Sequence, residues 1–355
     1  MNRPERVPGP AYAAMAEAQR IAFAPMVFQA CRLLRTTGIL EHIRGAGRAG
    51  MTLPEVVVKS GLPRYGVKVL LESGLGIGLF QLQDDRFALT LLGHVMAQDP
   101  MTRVNMDFVH EVCYAGLFDL EAAVREGRPA GLAAHGQWNT VYEGLSALPS
   151  QVQESWFAFD HFYSDRAFPA ALPIVFADPP RRLLDVGGNT GRWALQCAAF
   201  NPEVRITIAD LAPQLEFARQ IIREHHLEHR VSLYPCDLLD ESQPLPEGHD
   251  AIWMSQFLDC FSEREIRTLL RRAAQVMTPE STLHILELFW DRQPNEIAAF
   301  CLQQTSLYFT CIANGNSQMY HSTDLLRCIG ECGLRVTAEH NQVGQYHTLL
   351  KCRKA

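Results

Sequence analysis

No stretch of this chain approaches the roughly 18 uninterrupted apolar residues that a membrane-spanning helix needs, so none is expected. The opening MNRPERVPGPAYAAMAEAQR lacks the apolar run of a secretory leader, which points to a cytoplasmic protein. No two cysteines form a C-x-x-C pair. The ten (Cys31, Cys113, Cys197, Cys236, Cys260, Cys301, Cys311, Cys328, Cys332 and Cys352) are scattered through apolar segments and read as reduced thiols. Cys328 and Cys332 lie one helical turn apart, but no His or Cys stands near enough to complete a metal site, and no other segment has metal-ligand spacing. A basic excess is also missing. The net charge is −7 and the pI about 6.0, which argues against nucleic acid as the partner, because phosphate binding needs a basic surface.

What is present is an ordinary globular composition, 47% apolar and 20% charged over 355 residues, enough for two domains. Residues 1–110 hold 12 Lys and Arg against 9 Asp and Glu, so the acid lies further along. Residues 11–44 carry apolar positions at helical spacing and predict one helix. In MTLPEVVVKSGLPRYGVKVLLESGLG, Thr52 with Glu55 forms a capping box, Gly61 ends that helix, and Pro63 opens a second that stops near Ser73-Gly74. The alternation in LFQLQDDRFALT, centred on Asp84-Asp85, reads as a hairpin wing. Helix-turn-helix plus wing makes a winged-helix module. Its second helix offers only Arg64 and Lys68 to a phosphate backbone, so packing or dimerisation suits it better than DNA binding. Residues 111–180 read as a mostly helical segment, with a loop at EGRPAGLAAHGQW and an aromatic cluster, WFAFDHFYSD.

From 181 the rhythm changes to alternating strands and helices: RLLDV, VRITIAD, VSLYPCD, DAIWMSQF and TLHILELF, then LRVTAEHN and HTLLKCR as an antiparallel pair. Such alternation predicts an α/β domain with a mainly parallel sheet that binds ligands at its C-terminal strand ends. The first strand runs into Asp185-Val186-Gly187-Gly188-Asn189-Thr190-Gly191-Arg192, a glycine-rich turn onto a helix N-terminus. The dinucleotide fingerprint G-x-G-x-x-G fails at Asn189 and Arg192, which speaks against a nicotinamide-dependent oxidoreductase. The pattern D-x-G-x-G-x-G is met at Asp185, Gly187 and Gly191, and Asn189, its one departure, tolerates positive φ better than other non-glycine residues. Asp210 ends the second strand about 20 residues on, where a carboxylate can accept both ribose hydroxyls, and Asp237-Leu238 ends the third.

On these motifs the chain resembles the plant-type O-methyltransferase family, in its bacterial branch, including methyltransferases of aryl polyene and flexirubin pigment clusters. The resemblance spans nearly the whole chain. It implies a Rossmann-like class I methyltransferase domain over 181–355, a helical linker and acceptor segment over 111–180, and an all-α winged-helix dimerisation domain over 1–110. It implies S-adenosylmethionine as methyl donor, a homodimer, and a small aromatic, phenolic acceptor, free or carried on a carrier protein. The cofactor residues it implies are Asp185, Gly187, Gly188, Asn189, Gly191, Asp210, Leu211, Asp237, Leu238, Ser255 and Gln256, with Ser255 standing where the family often has Lys or Arg. His110, Tyr114, Phe157, Phe257, Gln304 and Tyr308 fall in the acceptor pocket by family topology.

The catalytic positions depart from that pattern. Where the family has its histidine, in a motif like L-H-D-W-S-D-E, this chain has Leu258-Asp259-Cys260-Phe261-Ser262-Glu263. One acidic helper is kept as Glu287, and the second falls near Met319 and is lost. A phenol of pKa near 10 must give up its proton by the transition state, and Asp259 does that well only if burial raises its pKa. His161, in FDHFY, is an alternative base, and His321 another, although Ser322 and Thr323 beside it look like a helix cap. Ring-carbon methylation would tolerate a different base. A winged-helix regulator with a vestigial cofactor site is the rival reading.

Overall fold

The computed structural model describes residues 9–355, so MNRPERVP, the start of the first expected domain and of the stretch read as no leader, lies outside the described residues. The chain forms two compact units, divided between Met106 and Asp107. Among the described residues no helix is long and apolar enough to cross a membrane.

In the first unit the helical periodicity over 11–44 resolves into three helices, not one: α1 (Pro10–Ala22), α2 (Ala24–Thr36) and α3 (Ile39–Gly45). The chain breaks at Phe23, just before Pro25 in the first turn of α2, and at Gly38, whose φ of 77° no helix interior accepts. Then come β1 (Met51–Thr52), α4 (Leu53–Ser60) with the Thr52–Glu55 capping box formed, and α5 (Arg64–Ile77). Helix α5 runs past Ser73-Gly74 to Ile77, because Gly74 is a packing residue: a Cβ there would lie 2.3 Å from the Phe80 ring. Strands β2 (Phe80–Gln83) and β3 (Arg86–Leu89) pair through a turn in which Asp84 and Asp85 both take positive φ, 49° and 57°. With β1 they make a three-stranded sheet, so this unit is not all-α. Helix α6 (Leu91–Gln98) closes it over a core that includes Leu34, Ile43, Val67 and Leu71.

Helix α7 (Pro100–Phe108) leads into the second unit, followed by α8 (Leu120–Glu126), α9 (Val141–Gly144) and the long α10 (Ser150–Val175). The α/β part is β4 (Arg182–Val186), α11 (Arg192–Phe200), β5 (Arg205–Asp210), α12 (Ala212–Glu224), β6 (Val231–Pro235), β7 (Ala251–Ser255), α13 (Glu263–Val276), β8 (Thr282–Glu287), α14 (Glu296–Tyr308), α15 (Ser322–Glu331), β9 (Leu334–Val343) and β10 (His347–Lys354). Its seven strands run in the order β6-β5-β4-β7-β8-β10-β9, parallel as far as β8 and antiparallel beyond. Strand β4 sits where the order reverses, so the loop after it opens into the crevice where such sheets bind ligands. Its last four residues are buried, as a strand covered by helices on both faces must be. Trp193 of α11 stacks on Trp253 of β7 at 3.9 Å, which anchors the helix after the glycine turn to the sheet.

Candidate active site

The glycine turn is shaped by what its backbone must avoid. Gly187 has φ 72°, and a Cβ on it would meet the Phe257 ring at 2.3 Å; at Gly188 a Cβ would meet Asp185 Oδ2 at 2.6 Å. Asn189 takes φ 48°, as its tolerance of the left-handed region allows, and Gly191 starts α11 at φ 78°. Asp210 holds this turn: its Oδ2 accepts the Asn189 N–H at 2.8 Å and its Oδ1 the Leu211 N–H at 2.7 Å. Burial pushes Asp210 up to about 6 despite those two bonds. Asp185 behind it is pushed up to about 8, first by burial and then by the Asp210 charge.

Around the turn several buried polar atoms lack a partner among the described residues: Asp185 Oδ2, Asn189 Oδ1 and, on the neighbouring strand β7, Ser255 Oγ. Buried polar groups are normally paired, so a cluster of orphans beside a helix N-terminus marks a ligand's place. After β6, Leu238 is buried and Asp237 exposed, its Oδ1 accepting the Leu239 N–H at 2.9 Å. Arg272 of α13 fixes this loop by donating to the carbonyls of Leu238 and Gln243. These groups fit S-adenosylmethionine: a backbone cradle, a carboxylate for the ribose, and an exposed acid with an apolar neighbour for the adenine.

Next along the sheet edge, Gln256 follows β7 at φ 46°, and its Oε1 lies 3.1 Å from Nε2 of the buried His347. Burial holds His347 down to about 3, so it is neutral and donates to that amide oxygen. Phe257 and Leu258 then give their N–H groups to one oxygen of Glu287, at 3.0 and 2.8 Å. Asp259 is buried, and burial pushes it up to about 6. Cys260 Sγ lies 3.5 Å from Asp259 Oδ1.

The segment expected to meet the acceptor is aromatic. Phe108 stacks on Phe159 at 4.0 Å and meets Tyr308 edge-on at 5.0 Å; the Trp156 indole N–H donates to Tyr308 Oη at 2.7 Å. Phe157 stacks on His161 at 5.5 Å, and His161 Nε2 lies 3.4 Å from Thr190 Oγ1 in the glycine turn. Burial, helped by Arg192, holds His161 down to about 4. His110 and Tyr114 are half-buried, with ring centres 6.1 Å apart. Gln304 does not join them: it lies exposed on α14. His321 is the cap of α15, in place of the expected Ser322 and Thr323, its Nδ1 accepting the Thr323 N–H at 3.2 Å. Met319, at the lost acid, is buried apolar core.

Asp160 was missed from the sequence. It precedes His161 on α10 and is pushed up to about 7 by burial, then by Asp259 and Asp165. Only an acid within the aromatic WFAFDHFY run marked it, and His161 drew the attention.

Residues 170–330 match the O-methyltransferase domain model, and residues 16–87 match the Dimerisation2-like domain. Among curated relatives, aclacinomycin 10-hydroxylase of Streptomyces purpurascens is 29% identical over 73% of this chain and 68% of its own length. The 3-hydroxy-5-methyl-1-naphthoate 3-O-methyltransferase of Streptomyces sahachiroi is 25% identical over 72% of each chain. A solved O-methyltransferase from neocarzinostatin biosynthesis, in complex with S-adenosylmethionine and 2-hydroxy-5-methyl naphthoic acid, shares the fold with TM-score 0.66 and 19% identity over 92% of this chain and 96% of that one. The protein is an S-adenosylmethionine-dependent methyltransferase, with an O-methyltransferase domain following a Dimerisation2-like domain. The regulator reading finds no support, and Lys68, one of its two candidate phosphate readers, pairs with Glu72 at 3.6 Å.

Proposed function

We propose that the protein methylates a small aromatic, phenolic acceptor in cytoplasmic natural-product biosynthesis, with Asp259 as the base. The observation that carries this is a buried carboxyl, raised to about 6, standing where the family has its histidine, with Cys260 beside it packed against the aromatic cluster. S-adenosylmethionine supplies, when bound, a methyl group on an electrophilic sulfonium. Asp210 would accept from the ribose hydroxyls through lone pairs that its two backbone bonds leave free, Asp237 would accept from the adenine amino group, and Leu238 would pack on the ring. The aromatic walls orient the acceptor ring and exclude water, which carries much of an in-line displacement. Asp259 then takes the hydroxyl proton as the methyl moves. His161, held down to about 4, is the poorer base, and it suits a role in setting Thr190 against the cofactor.

The relatives' work on naphthoate and other aromatic acceptors supports this acceptor class. The pigment-cluster setting and a carrier-bound acceptor rest on the sequence resemblance alone. A homodimer is supported by the Dimerisation2-like match and by the first two helices, which leave Tyr12, Met15, Ile21, Phe23 and Met26 exposed.

The test is calorimetric titration with S-adenosylmethionine, repeated with Asp210→Ala, followed by methyl transfer to a panel of hydroxybenzoates and hydroxynaphthoates. Losing hydrogen bonds to a charged group at about 1.5–3 kcal/mol each should weaken binding at least about 100-fold. No binding to the wild type, or binding without methyl transfer to any phenol, would overturn the reading.

A further inference from the structure

Glu287 and Asp259 are two carboxyl groups that line one narrow, partly open crevice together with Leu258, Leu288, Phe289, Tyr320 and Leu325. Both are buried, at 2% and 7% exposure. Two ionised carboxylates so placed repel each other, and burial removes the water that would screen them, so one must hold a proton. Their hydrogen bonds decide which. Asp259 Oδ1 accepts from the Cys260 thiol at 3.5 Å, and the backbone N–H groups of Asp259 and Cys260 also favour its ionised form. All of its bonds stabilise a negative charge. Glu287 spends one oxygen on the N–H groups of Phe257 and Leu258, and its other oxygen, Oε2, has no partner among the described residues. An orphaned buried carboxylate oxygen is costly, whereas the same oxygen bearing a proton becomes a donor. The remaining titratable groups nearby, Asp160 on α10, Cys260, and the hydroxyls of Tyr142 and Tyr320, supply no positive charge that would hold both acids ionised.

We propose that Glu287 is a positioning residue that stays protonated at neutral pH: one oxygen fixes the Phe257–Leu258 backbone, and the other, as O–H, donates into the crevice toward the ionised Asp259. The bookkeeping is simple. The acceptor's hydroxyl proton passes to Asp259 and leaves from it to solvent, while Glu287 keeps its own proton throughout. A carboxylic acid thus does for an aspartate base what an ionised carboxylate would do for a histidine. The role given to Asp259 rests on the methyl-transfer reading; the protonation of Glu287 does not.

The experiment is therefore independent of the acceptor. Infrared difference spectra of wild type minus Glu287→Gln are recorded at pH 7 in H₂O and D₂O. Glutamine keeps the carbonyl that accepts the two N–H groups and puts an N–H donor where the O–H was, so it should fold. A carboxylic-acid C=O band from the wild type, shifted in D₂O, is expected; its absence at pH 7 overturns the proposal. A second variant reads the coupling. In Asp259→Asn the Glu287 band should vanish on titration at a lower pH than in the wild type, because the repelling charge is gone; an unchanged or higher titration point overturns the pairing. S-adenosylmethionine affinity of Glu287→Gln should stay within about threefold of wild type, equivalent to about 0.65 kcal/mol, and a larger loss would overturn the view that this pair serves the acceptor side. Failure of the wild type to bind S-adenosylmethionine would leave the infrared result standing and fall on the methyl-transfer reading alone.

Discussion

The proposed cofactor side and the proposed acceptor side of this site are built in opposite ways. The cofactor side is made of short, contiguous pieces at strand ends: the turn 185–191, Asp210, and Asp237-Leu238. The turn works through its backbone and the two aspartates through their carboxylates, and Asp210 also ties the turn to the next strand. The acceptor side gathers Phe108, Trp156, Asp160, Asp259, Glu287 and Tyr308 from helices and loops far apart in sequence, tied by contacts such as Trp156 to Tyr308 across 152 positions. The first kind of construction constrains residue identity locally and tolerates few changes. The second can exchange a histidine for Asp259 and an acid for Met319, provided the surrounding charges are rebalanced.

Substitutions can break that contrast. The largest effect is expected from Gly187→Val. Positive φ costs a branched residue about 1–3 kcal/mol, and its Cβ would sit 2.3 Å from the Phe257 ring. Calorimetry should find S-adenosylmethionine binding lost; retained binding would mean that the turn is softer than its geometry implies. Next is Asp259→Asn, which should cut methyl transfer to whichever phenol the panel selects by about 10²–10⁴-fold while leaving cofactor affinity unchanged. In the wild type that activity should rise with pH through about 6, as Asp259 ionises. A flat profile would move the base elsewhere.

A smaller effect concerns Asp185. Its folded pKa of about 8 lies above the unfolded value of about 3.9, so the native state binds the extra proton, and stability falls as pH rises from about 4 to about 8. Asn removes this cost, so the melting temperature of Asp185→Asn should gain on wild type as pH goes from 5 to 8. Equal slopes in the two proteins would contradict it. Wild type keeps part of the same slope from Asp210 and Asp259, both also raised. The smallest effect is that of Asn189→Gly, which restores the family turn. Relief at φ 48° and the added freedom of the unfolded chain oppose each other at about 1 kcal/mol or less. Cofactor affinity within about threefold of wild type is expected, and a tenfold change would show that the Asn189 side chain itself meets the ligand.

Much of this was legible in the sequence wherever the cause is local. Alternating βα units dictated the parallel sheet, because apolar strands and amphipathic helices can bury their faces in few other ways. The Asp-Val-Gly-Gly-Asn turn dictated a backbone cradle, and Thr52–Glu55 and Gly61 dictated the ends of a helix. Periodicity could not show that 11–44 is three helices, since the apolar spacing continues across Phe23 and Gly38 while the backbone does not. Nor could local preference show that α5 continues through Gly74, where close packing against Phe80 outweighs the residue's poor helix propensity. Tertiary structure alone decided that the charge of Asp259 reaches Asp160, that His321 is spent as a cap, that Gln304 is exposed, and that one Glu287 oxygen has no partner among the described residues. Those are facts of burial and charge between segments distant in the chain, and burial is what sets the proton on a carboxyl group.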